Sequence, residues 1–221
     1  MGNSISIYSV PSGLELILVV VIVLVASYFL GCFNGAVIVS KYILRDDIRK
    51  HGSGNAGLTN FHRTFGGGLT FAVILCDVLK AVFAVLLGSW LFSWNPVLGK
   101  YFAGLFCLLG HMFPCMFHFK GGKGILSGGT IAIMIDWRIA LVVWGGFLIL
   151  TALTRYVSLG SLWAGASFPF ISWYCYPEVK IVVLAFLCGG LVVWKHRGNA
   201  ERLLHGTERK LCFHKKKEGG S

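Results

Sequence analysis

Residues 69–92 read LTFAVILCDVLKAVFAVLLGSWLF, and this apolar stretch decides the fold class. It holds only two charged residues, Asp77 and Lys80. The hydrocarbon core of a bilayer is about 30 Å thick, and an α-helix of about 20 residues crosses it. The stretch therefore predicts a transmembrane helix. Asp77 and Lys80 are three residues apart and share one face of that helix, which favours a structural ion pair over a functional pair of charges.

The rest of the chain has the same character. Hydrophobic residues make up 56% of its 221 residues, charged residues 13%, and the mean hydropathy is +0.74. Soluble domains carry about twice that share of charge, so the composition predicts an all-α polytopic membrane protein with a single domain over residues 1–221. Seven apolar segments are predicted to span the membrane: residues 16–39, 69–92, 97–117, 125–135, 139–153, 159–176 and 179–194.

The distribution of Lys and Arg predicts the orientation of these seven spans. Sixteen fall on the face that receives the basic tail from about residue 195, three (Lys100, Arg138 and Lys180) fall on the other face, and Lys80 lies within a span. Positive loops stay in the cytoplasm, so the N-terminus is predicted outside and the C-terminus inside. Residues 125–153 could instead form one long helix, giving six spans, but the charge distribution disfavours that alternative.

A polar cluster interrupts the apolar chain at residues 52–63. Its glycines let backbone N–H groups approach an anion closely, and its arginine offers a bidentate fork for a phosphate. The alternative is a flexible cytoplasmic loop with retained positive charge. The candidate site residues in this cluster are Ser53, Asn55, Thr59, Asn60 and Arg63.

A second cluster, at residues 110–124, places His111, Lys120 and Lys123 around a pair of glycines before a predicted helix. The free N–H groups at a helix N-terminus bind anions. The cluster is not a nucleotide-binding Walker A loop, because Gly124 stands where that motif requires Ser or Thr. For His111, a packing or hydrogen-bonding role is the alternative.

A third set of polar residues is predicted on the same membrane face. Ser158 precedes the sixth span, and His196, Asn199 and Glu208 lie in the basic tail. A polybasic segment resting on anionic lipid is the alternative for the tail, and the Lys run at residues 215–217 is predicted to be only that. Carboxylates and histidines form no ligand cluster, so neither a metal nor a cofactor is predicted.

Taken in order, these clusters resemble the motifs of the bacterial acyl-phosphate:glycerol-3-phosphate acyltransferase family (the PlsY type), over nearly the whole chain. The family's Gly-Ser-Gly-Asn-Pro-Gly-Ala-Thr-Asn-Val-x-Arg loop stands at residues 52–63, with Ala56 for the proline and Leu58 for the alanine. Its Gly-His-x-Phe-Pro and Phe-x-Gly-Gly-Lys-Gly motif is intact over residues 110–124. Its Asn-Ile-x-Arg-Leu-x-x-Gly-x-Glu motif stands at residues 199–208, with Ala200 for the isoleucine.

The resemblance implies transfer of a fatty acyl group from acyl phosphate to glycerol 3-phosphate, giving lysophosphatidic acid for phospholipid biosynthesis. It implies a bacterial inner-membrane protein, surrounded by membrane lipid, with its site at the cytoplasmic face. It implies that the soluble enzyme that makes acyl phosphate is a further partner. It implies no nucleic-acid partner. The implied catalytic residues are Ser53, Arg63, Lys123, His196 and Asn199. The implied substrate-binding residues are Asn55, Thr59, Asn60, His111, Lys120, Ser158 and Glu208.

The chemistry of the clusters agrees with that activity. Acyl phosphate is an activated mixed anhydride, so the site needs groups that stabilise negative charge and hold two substrates together more than it needs a strong base. A transporter of a phosphate-type anion is the alternative from another class, since broken helices with basic N-termini fit it as well. The scarcity of polar groups in the outer half disfavours transport, and a lipid phosphatase would need a nucleophile paired with a base.

Overall fold

The computed structural model describes residues 10–211, and within that range the chain forms helices and no strand. The all-α prediction is confirmed, while residues 215–217 lie outside the described range. Short helical turns at Val39–Ile43, Ile48–Lys50 and Cys115–Phe117 accompany the α-helices. The α-helices are α1 (Gly13–Cys32), α2 (Gly35–Ile38), α3 (Leu58–Phe65), α4 (Leu69–Leu91), α5 (Pro96–Met112), α6 (Ile125–Ile135), α7 (Trp137–Thr154), α8 (Val157–Cys175), α9 (Val179–Lys195) and α10 (Arg197–Leu204).

The helices have the length and composition of an integral membrane protein. Four helical stretches could each cross a bilayer by these criteria: Gly13–Cys32, Leu69–Leu91, Pro96–Phe117 and Trp137–Thr154. A fifth is reached if α9 and α10, which meet at a bend of 53°, count as one span. Each of the seven predicted segments contains a helix, α1 or one of α4 to α9. The number of crossings, seven, stays a prediction.

The first predicted span, residues 16–39, is not one continuous helix. α1 ends at Cys32, and the Asn34 side chain accepts a hydrogen bond from the Val37 N–H at 3.0 Å, which caps α2. An Asx cap satisfies a backbone donor that would otherwise be unpaired, so it favours a new helix start over continuation of α1. Beyond the end of α1, the Phe33 carbonyl accepts a hydrogen bond from the Lys80 ammonium of α4 at 3.1 Å.

Asp136 decides between one long helix and two over residues 125–153. Its backbone is extended, with φ −161° and ψ 136°. Its carboxylate accepts a hydrogen bond from the Arg138 N–H at 2.8 Å and forms an ion pair with the Arg138 guanidinium, also at 2.8 Å. These contacts cap α7, so α6 and α7 are separate helices and the single-helix alternative is wrong.

Glycines bring the central helices into backbone contact. A Cβ atom on Gly110 of α5 would collide with the Tyr28 carbonyl oxygen of α1, and one on Gly99 would collide with the Gly88 carbonyl of α4. Small residues at helix crossings allow this approach, which is the usual basis of packing between helices in lipid. The result is a tight core of α1, α4 and α5.

The outward surface of the bundle is strongly apolar. Trp90 is 74% exposed, Leu153 79% and Tyr174 83%. A monomer in water rarely exposes large contiguous apolar patches, whereas lipid chains solvate them without cost. The polar groups described next are instead gathered at one end of the bundle, where α6 and α8 begin and α9 ends.

Candidate active site

One buried asparagine holds the first loop, residues 51–57, in shape. Asn60 accepts a hydrogen bond from the Ser53 N–H at 3.0 Å, and its amide N–H₂ donates to two loop carbonyls at 3.0 and 3.1 Å. Asn34 holds the same loop by donating to the Ala56 carbonyl at 3.1 Å. Asn60 was predicted to bind substrate, but its amide is occupied by the loop that presents the neighbouring side chains.

Arg63 and Ser53 are the exposed side chains among the candidate site residues of this cluster. The Arg63 guanidinium makes no ion pair or hydrogen bond with any other residue between 10 and 211. It lies on α3, whose opposite face buries Phe61 in the core. A guanidinium on an anchored helix, without a partner in the described chain, is available to an anion from solution.

The glycine-rich loop before α6 folds back onto the end of α5. The N–H of Gly121 donates to the Met112 carbonyl at 3.3 Å, and that of Gly122 donates to the His111 carbonyl at 3.1 Å. A Cβ atom on Gly121 would collide with the His111 carbonyl, so only glycine fits so close to α5. This anchoring positions the following residue, Lys123, at the end of the bundle.

His196 lies at the bend between α9 and α10 and is only 4% exposed. Its Nδ1 is 2.8 Å from the Val192 carbonyl oxygen, so Nδ1–H donates to that carbonyl and Nε2 is left as an acceptor. Burial lowers the pKa of His196 to about 4. The ring is therefore neutral at physiological pH and is a weak base there.

A chain of hydrogen bonds joins the glycine-rich loop to α10. Lys123 Nζ donates to the side-chain oxygen of Asn199. The Asn199 amide N–H₂ donates to Glu208 at 2.8 Å, and the Arg202 guanidinium donates to the other Glu208 oxygen at 2.7 Å. The Lys123 ammonium is thus held by Asn199, and the Arg202 guanidinium is held by Glu208.

Burial perturbs the ionisable groups of this chain. It is the largest reason that the pKa of Lys123 falls to about 8, and the positive charge of Arg202 lowers it further. Burial also raises the pKa of Glu208, but hydrogen bonds from Asn199 and Arg202 outweigh that effect, so this pKa lies below its usual value. An ammonium with a lowered pKa gains strongly from the arrival of a phosphate.

Ser158 carries a buried hydroxyl whose hydrogen bonding is unfilled. It is 6% exposed and makes no hydrogen bond of ordinary geometry with any described residue, although it is close enough to Glu208 to help lower that pKa. Leaving a buried hydroxyl unpaired costs about 1–3 kcal/mol, and buried polar groups are nearly always paired. Near the N-terminus of α8, the hydroxyl is placed to bind an anion.

These groups share one cleft of about 1090 Å³ at the end of the bundle. Of the twelve predicted site residues, only Lys120 is absent from its walls; the Lys120 side chain is exposed outside it. The predicted residues that line the cleft are Ser53, Asn55, Thr59, Asn60, Arg63, His111, Lys123, Ser158, His196, Asn199 and Glu208.

The cleft also contains residues that were not predicted to belong to a site. Lys195, Arg202, Arg209 and Ser161 line it. Lys195 Nζ donates to the carbonyl of Met112 at 3.1 Å. The only sequence signal of these cations is positive charge near a membrane, and that signal does not separate a site residue from a lipid-facing one.

An apolar pocket adjoins the cleft inside the bundle. Four residues line both spaces: Gly124, Ile125, Trp144 and Phe147. Beyond them the pocket is bounded by residues of α5, α6, α7, α8 and α9. The pocket has a volume of only about 30 Å³, so it gives the cleft an apolar border and not room for a whole acyl chain. A cationic cleft with an apolar border suits an amphiphile whose anionic head lies in the cleft.

A buried cluster of three ionisable side chains lies at the base of the cleft. Asp77, Lys80 and His111 are 2%, 4% and 3% exposed. The predicted ion pair is present, with Lys80 Nζ 2.7 Å from Asp77 Oδ1. The same Nζ is 2.7 Å from His111 Nδ1. A charged pair at this depth is costly unless every member is paired.

Comparisons with known proteins agree on one family. Residues 21–206 match the model of the glycerol-3-phosphate acyltransferase family. A glycerol-3-phosphate acyltransferase of Thermoanaerobacter pseudethanolicus is 36% identical over 191 residues, which cover 86% of this chain and 95% of that relative. The one from Clostridioides difficile is 38% identical over 197 residues, covering 86% and 95%.

Solved structures give the same result. The chain is similar to PlsY, an integral membrane glycerol 3-phosphate acyltransferase, in its glycerol 3-phosphate form, with a TM-score of 0.80, 30% identity, and coverage of 87% of this chain and 96% of that chain. The lysophosphatidic acid form of PlsY matches with a TM-score of 0.77.

Proposed function

This chain belongs to the glycerol-3-phosphate acyltransferase family, and on that premise we propose that it transfers a fatty acyl group from acyl phosphate to glycerol 3-phosphate, forming lysophosphatidic acid. The observation that carries the proposal is the cleft itself. It joins cationic and hydroxyl groups from four separate segments and borders an apolar pocket. Both substrates are phosphates, and one also carries an apolar chain.

The cations and donors of the cleft suit the two phosphate groups. Lys123, Arg63 and the Ser158 hydroxyl converge on the open space, and the Asn199 amide holds Lys123 in place. Charged donors to phosphate form the stronger class of hydrogen bonds. We assign Ser53, Asn55 and Thr59 to the rim of the same phosphate-binding space, because they line its first loop.

In the reaction, the 1-hydroxyl oxygen of glycerol 3-phosphate attacks the carbonyl carbon of the acyl phosphate. An ester C–O bond forms, the bond from the carbonyl carbon to the phosphate oxygen breaks, and inorganic phosphate leaves with the electron pair. Negative charge grows first on the carbonyl oxygen and then on the departing phosphate. Fixed cations stabilise that charge without reorganising during the step.

The hydroxyl proton passes to a substrate phosphate in this scheme. His196 Nε2 is free to accept a hydrogen bond from the hydroxyl, but a pKa of about 4 makes it too weak a base to keep the proton. A phosphate monoester has a second pKa of about 6 and is the stronger acceptor. His196 therefore orients the hydroxyl, and phosphate takes the proton.

The proposed setting is a bacterial inner membrane, with seven spans and the cleft at the cytoplasmic face. This orientation is supported by the position of the cationic groups, which lie together at one end of an apolar bundle. Cysteines introduced at residues 54, 120 and 198 should react with a membrane-impermeant reagent only from the cytoplasmic side. A cysteine at residue 136 should react only from outside, and reaction of that position from inside would contradict the seven-span topology.

The activity is tested with the purified full chain, glycerol 3-phosphate and palmitoyl phosphate. We expect equimolar release of inorganic phosphate and formation of lysophosphatidic acid. Acyl-CoA and acyl carrier protein should not replace the donor, and a chelator should not lower the rate. Uptake of labelled phosphate or glycerol 3-phosphate into liposomes without ester formation would instead support the anion-transporter alternative.

A further inference from the structure

Lys80 has no place in the scheme above, although it is a buried cation next to the cleft. We propose that Lys80 is a positioning residue that fixes His111 as an Nε2–H donor aimed into the cleft, where it binds the carbonyl oxygen of the acyl phosphate. The assignment of that ligand rests on the proposed function. The assignment of the tautomer does not, because it follows from the hydrogen bonds of the buried cluster.

The three donors of the Lys80 ammonium are all accounted for. Lys80 Nζ lies 2.7 Å from Asp77 Oδ1, 3.1 Å from the Phe33 carbonyl oxygen and 2.7 Å from His111 Nδ1. A lysine ammonium has three N–H bonds and no acceptor. His111 Nδ1 must therefore accept, and a neutral ring with an accepting Nδ1 carries its proton on Nε2.

Asp77 would draw the proton to the opposite nitrogen if Lys80 were absent. Its Oδ1 lies 3.7 Å from His111 Nδ1 and also accepts from the Gly35 N–H at 3.2 Å. A carboxylate next to an imidazole nitrogen favours a proton on that nitrogen. Lys80 lies between the two groups and reverses that preference, so its position decides which nitrogen can donate.

The Nε2 side of the ring lies close to Gly122, where any side chain would cover it. A Cβ atom on Gly122 would collide with His111 Nε2 and would lie 2.6 Å from the Ala56 carbonyl oxygen. His111 lines the cleft, and its Nε2 has no hydrogen-bond partner among residues 10–211. An Nε2–H at the cleft wall without a protein acceptor is available to an acceptor atom of a ligand.

The position of His111 selects the carbonyl oxygen as that acceptor. Leu108 lies one turn away on α5 and lines the apolar pocket, and Gly124 lines both spaces. His111 thus lies at the border where an acyl chain gives way to its phosphate. In acyl phosphate the atom at that border is the carbonyl oxygen, which becomes negative in the transition state and gains from a fixed donor.

The tautomer can be measured by NMR on the full chain labelled with ¹⁵N-histidine in nanodiscs, with His111→Gln used to assign the signal. We expect the Nε2–H form. The double variant Asp77→Asn/Lys80→Met removes both charges together, so that no buried charge is left alone to unfold the protein. In that variant the residue 77 side-chain oxygen should accept from Nδ1, and the Nδ1–H form should appear.

Kinetics of the same double variant test the ligand. We expect kcat with palmitoyl phosphate to fall about a hundredfold, as for loss of one oxyanion donor, with the KM for glycerol 3-phosphate little changed. Lys100→Met is the matched control, because this α5 lysine donates to the Met134 carbonyl at 2.8 Å and does not line the cleft. It should change neither the tautomer nor kcat.

The outcomes separate the claims. An Nδ1–H form in the unmodified protein, or an unchanged tautomer in the double variant, would overturn the role of Lys80. A changed tautomer with an unchanged kcat would overturn the carbonyl as the ligand. Failure of the unmodified protein to transfer acyl groups would overturn the proposed function and the ligand with it, while the tautomer would still be decided by the spectrum.

Discussion

The ammonium of Lys123 donates a hydrogen bond to the side-chain oxygen of Asn199, a residue 76 positions further along the chain. This contact joins the glycine-rich loop before α6 to α10, beyond the last long helix. It holds a flexible cation in one place before any substrate arrives. Because the lysine side chain is already ordered, less conformational entropy is lost when a phosphate binds.

Removing either of the two cations that we propose to face phosphate should nearly abolish acyl transfer. Lys123→Ala and Arg63→Ala each leave growing negative charge uncompensated in a partly buried cleft, so we expect kcat/KM to fall about a hundredfold or more. Thermal unfolding of Arg63→Ala in detergent should change little, because Arg63 has no partner in the described chain. Lys123→Ala also loses the hydrogen bond to Asn199, so its unfolding temperature is measured alongside its activity. Neutralising the lysines at residues 215–217 together is the control, and an equal loss there would favour general membrane electrostatics over a specific site.

The rate should depend on the protonation of Lys123. Its pKa of about 8 in the free enzyme means that the ammonium is present below pH 8 and is lost as the pH rises through that value. We therefore expect kcat/KM to fall above pH 8, since this parameter reports on the free enzyme. In Lys123→Arg the fall should disappear, because a guanidinium stays charged. An alkaline limb identical in both proteins would assign it to another group.

Ser158→Ala should separate a binding role from a structural one. Loss of one neutral hydrogen bond of about 1 kcal/mol predicts a roughly fivefold rise in KM for glycerol 3-phosphate. The melting temperature should stay the same or rise, because the buried hydroxyl has no ordinary partner to lose. Ser172→Ala is the matched control on the same helix, with a buried hydroxyl outside the cleft. A change in KM with that control would argue against a specific site at Ser158.

Asn60→Ala should act through the first loop. The side chain makes three hydrogen bonds of 3.0–3.1 Å to the loop backbone, so its loss should cost about 1–3 kcal/mol of folding free energy and increase proteolysis near residue 54. Asn55→Ala keeps those bonds, because the hydrogen bond between Asn60 and Asn55 uses the backbone carbonyl of Asn55 and not its side chain. It should weaken substrate use without changing the melting temperature, and equal destabilisation by both changes would contradict the assignment.

Several features could be predicted because they depend on local chemistry. Continuous apolar segments identified each long helix, and the Asp-Trp-Arg break after residue 135 separated α6 from α7. The boundary that failed, at residue 32, is set by a contact that a hydropathy pattern does not contain. Asn34 caps a new helix within an apolar run. Lys120 and Lys123 have the same charge and flank the same glycines, yet only Lys123 enters the cleft.

By itself the sequence determined an all-helical membrane protein, the three motif segments and their resemblance to a phosphate-handling acyltransferase, because helix formation in lipid and motif spacing are properties of short stretches. Only the tertiary structure decided which motif residues support the backbone around the cleft and which present their side chains to it. Asn60 is occupied by its own loop, Lys123 is held by Asn199, and Lys80 determines which nitrogen of His111 can donate. These assignments depend on distances between atoms far apart in the chain, and such distances exist only after the helices have packed.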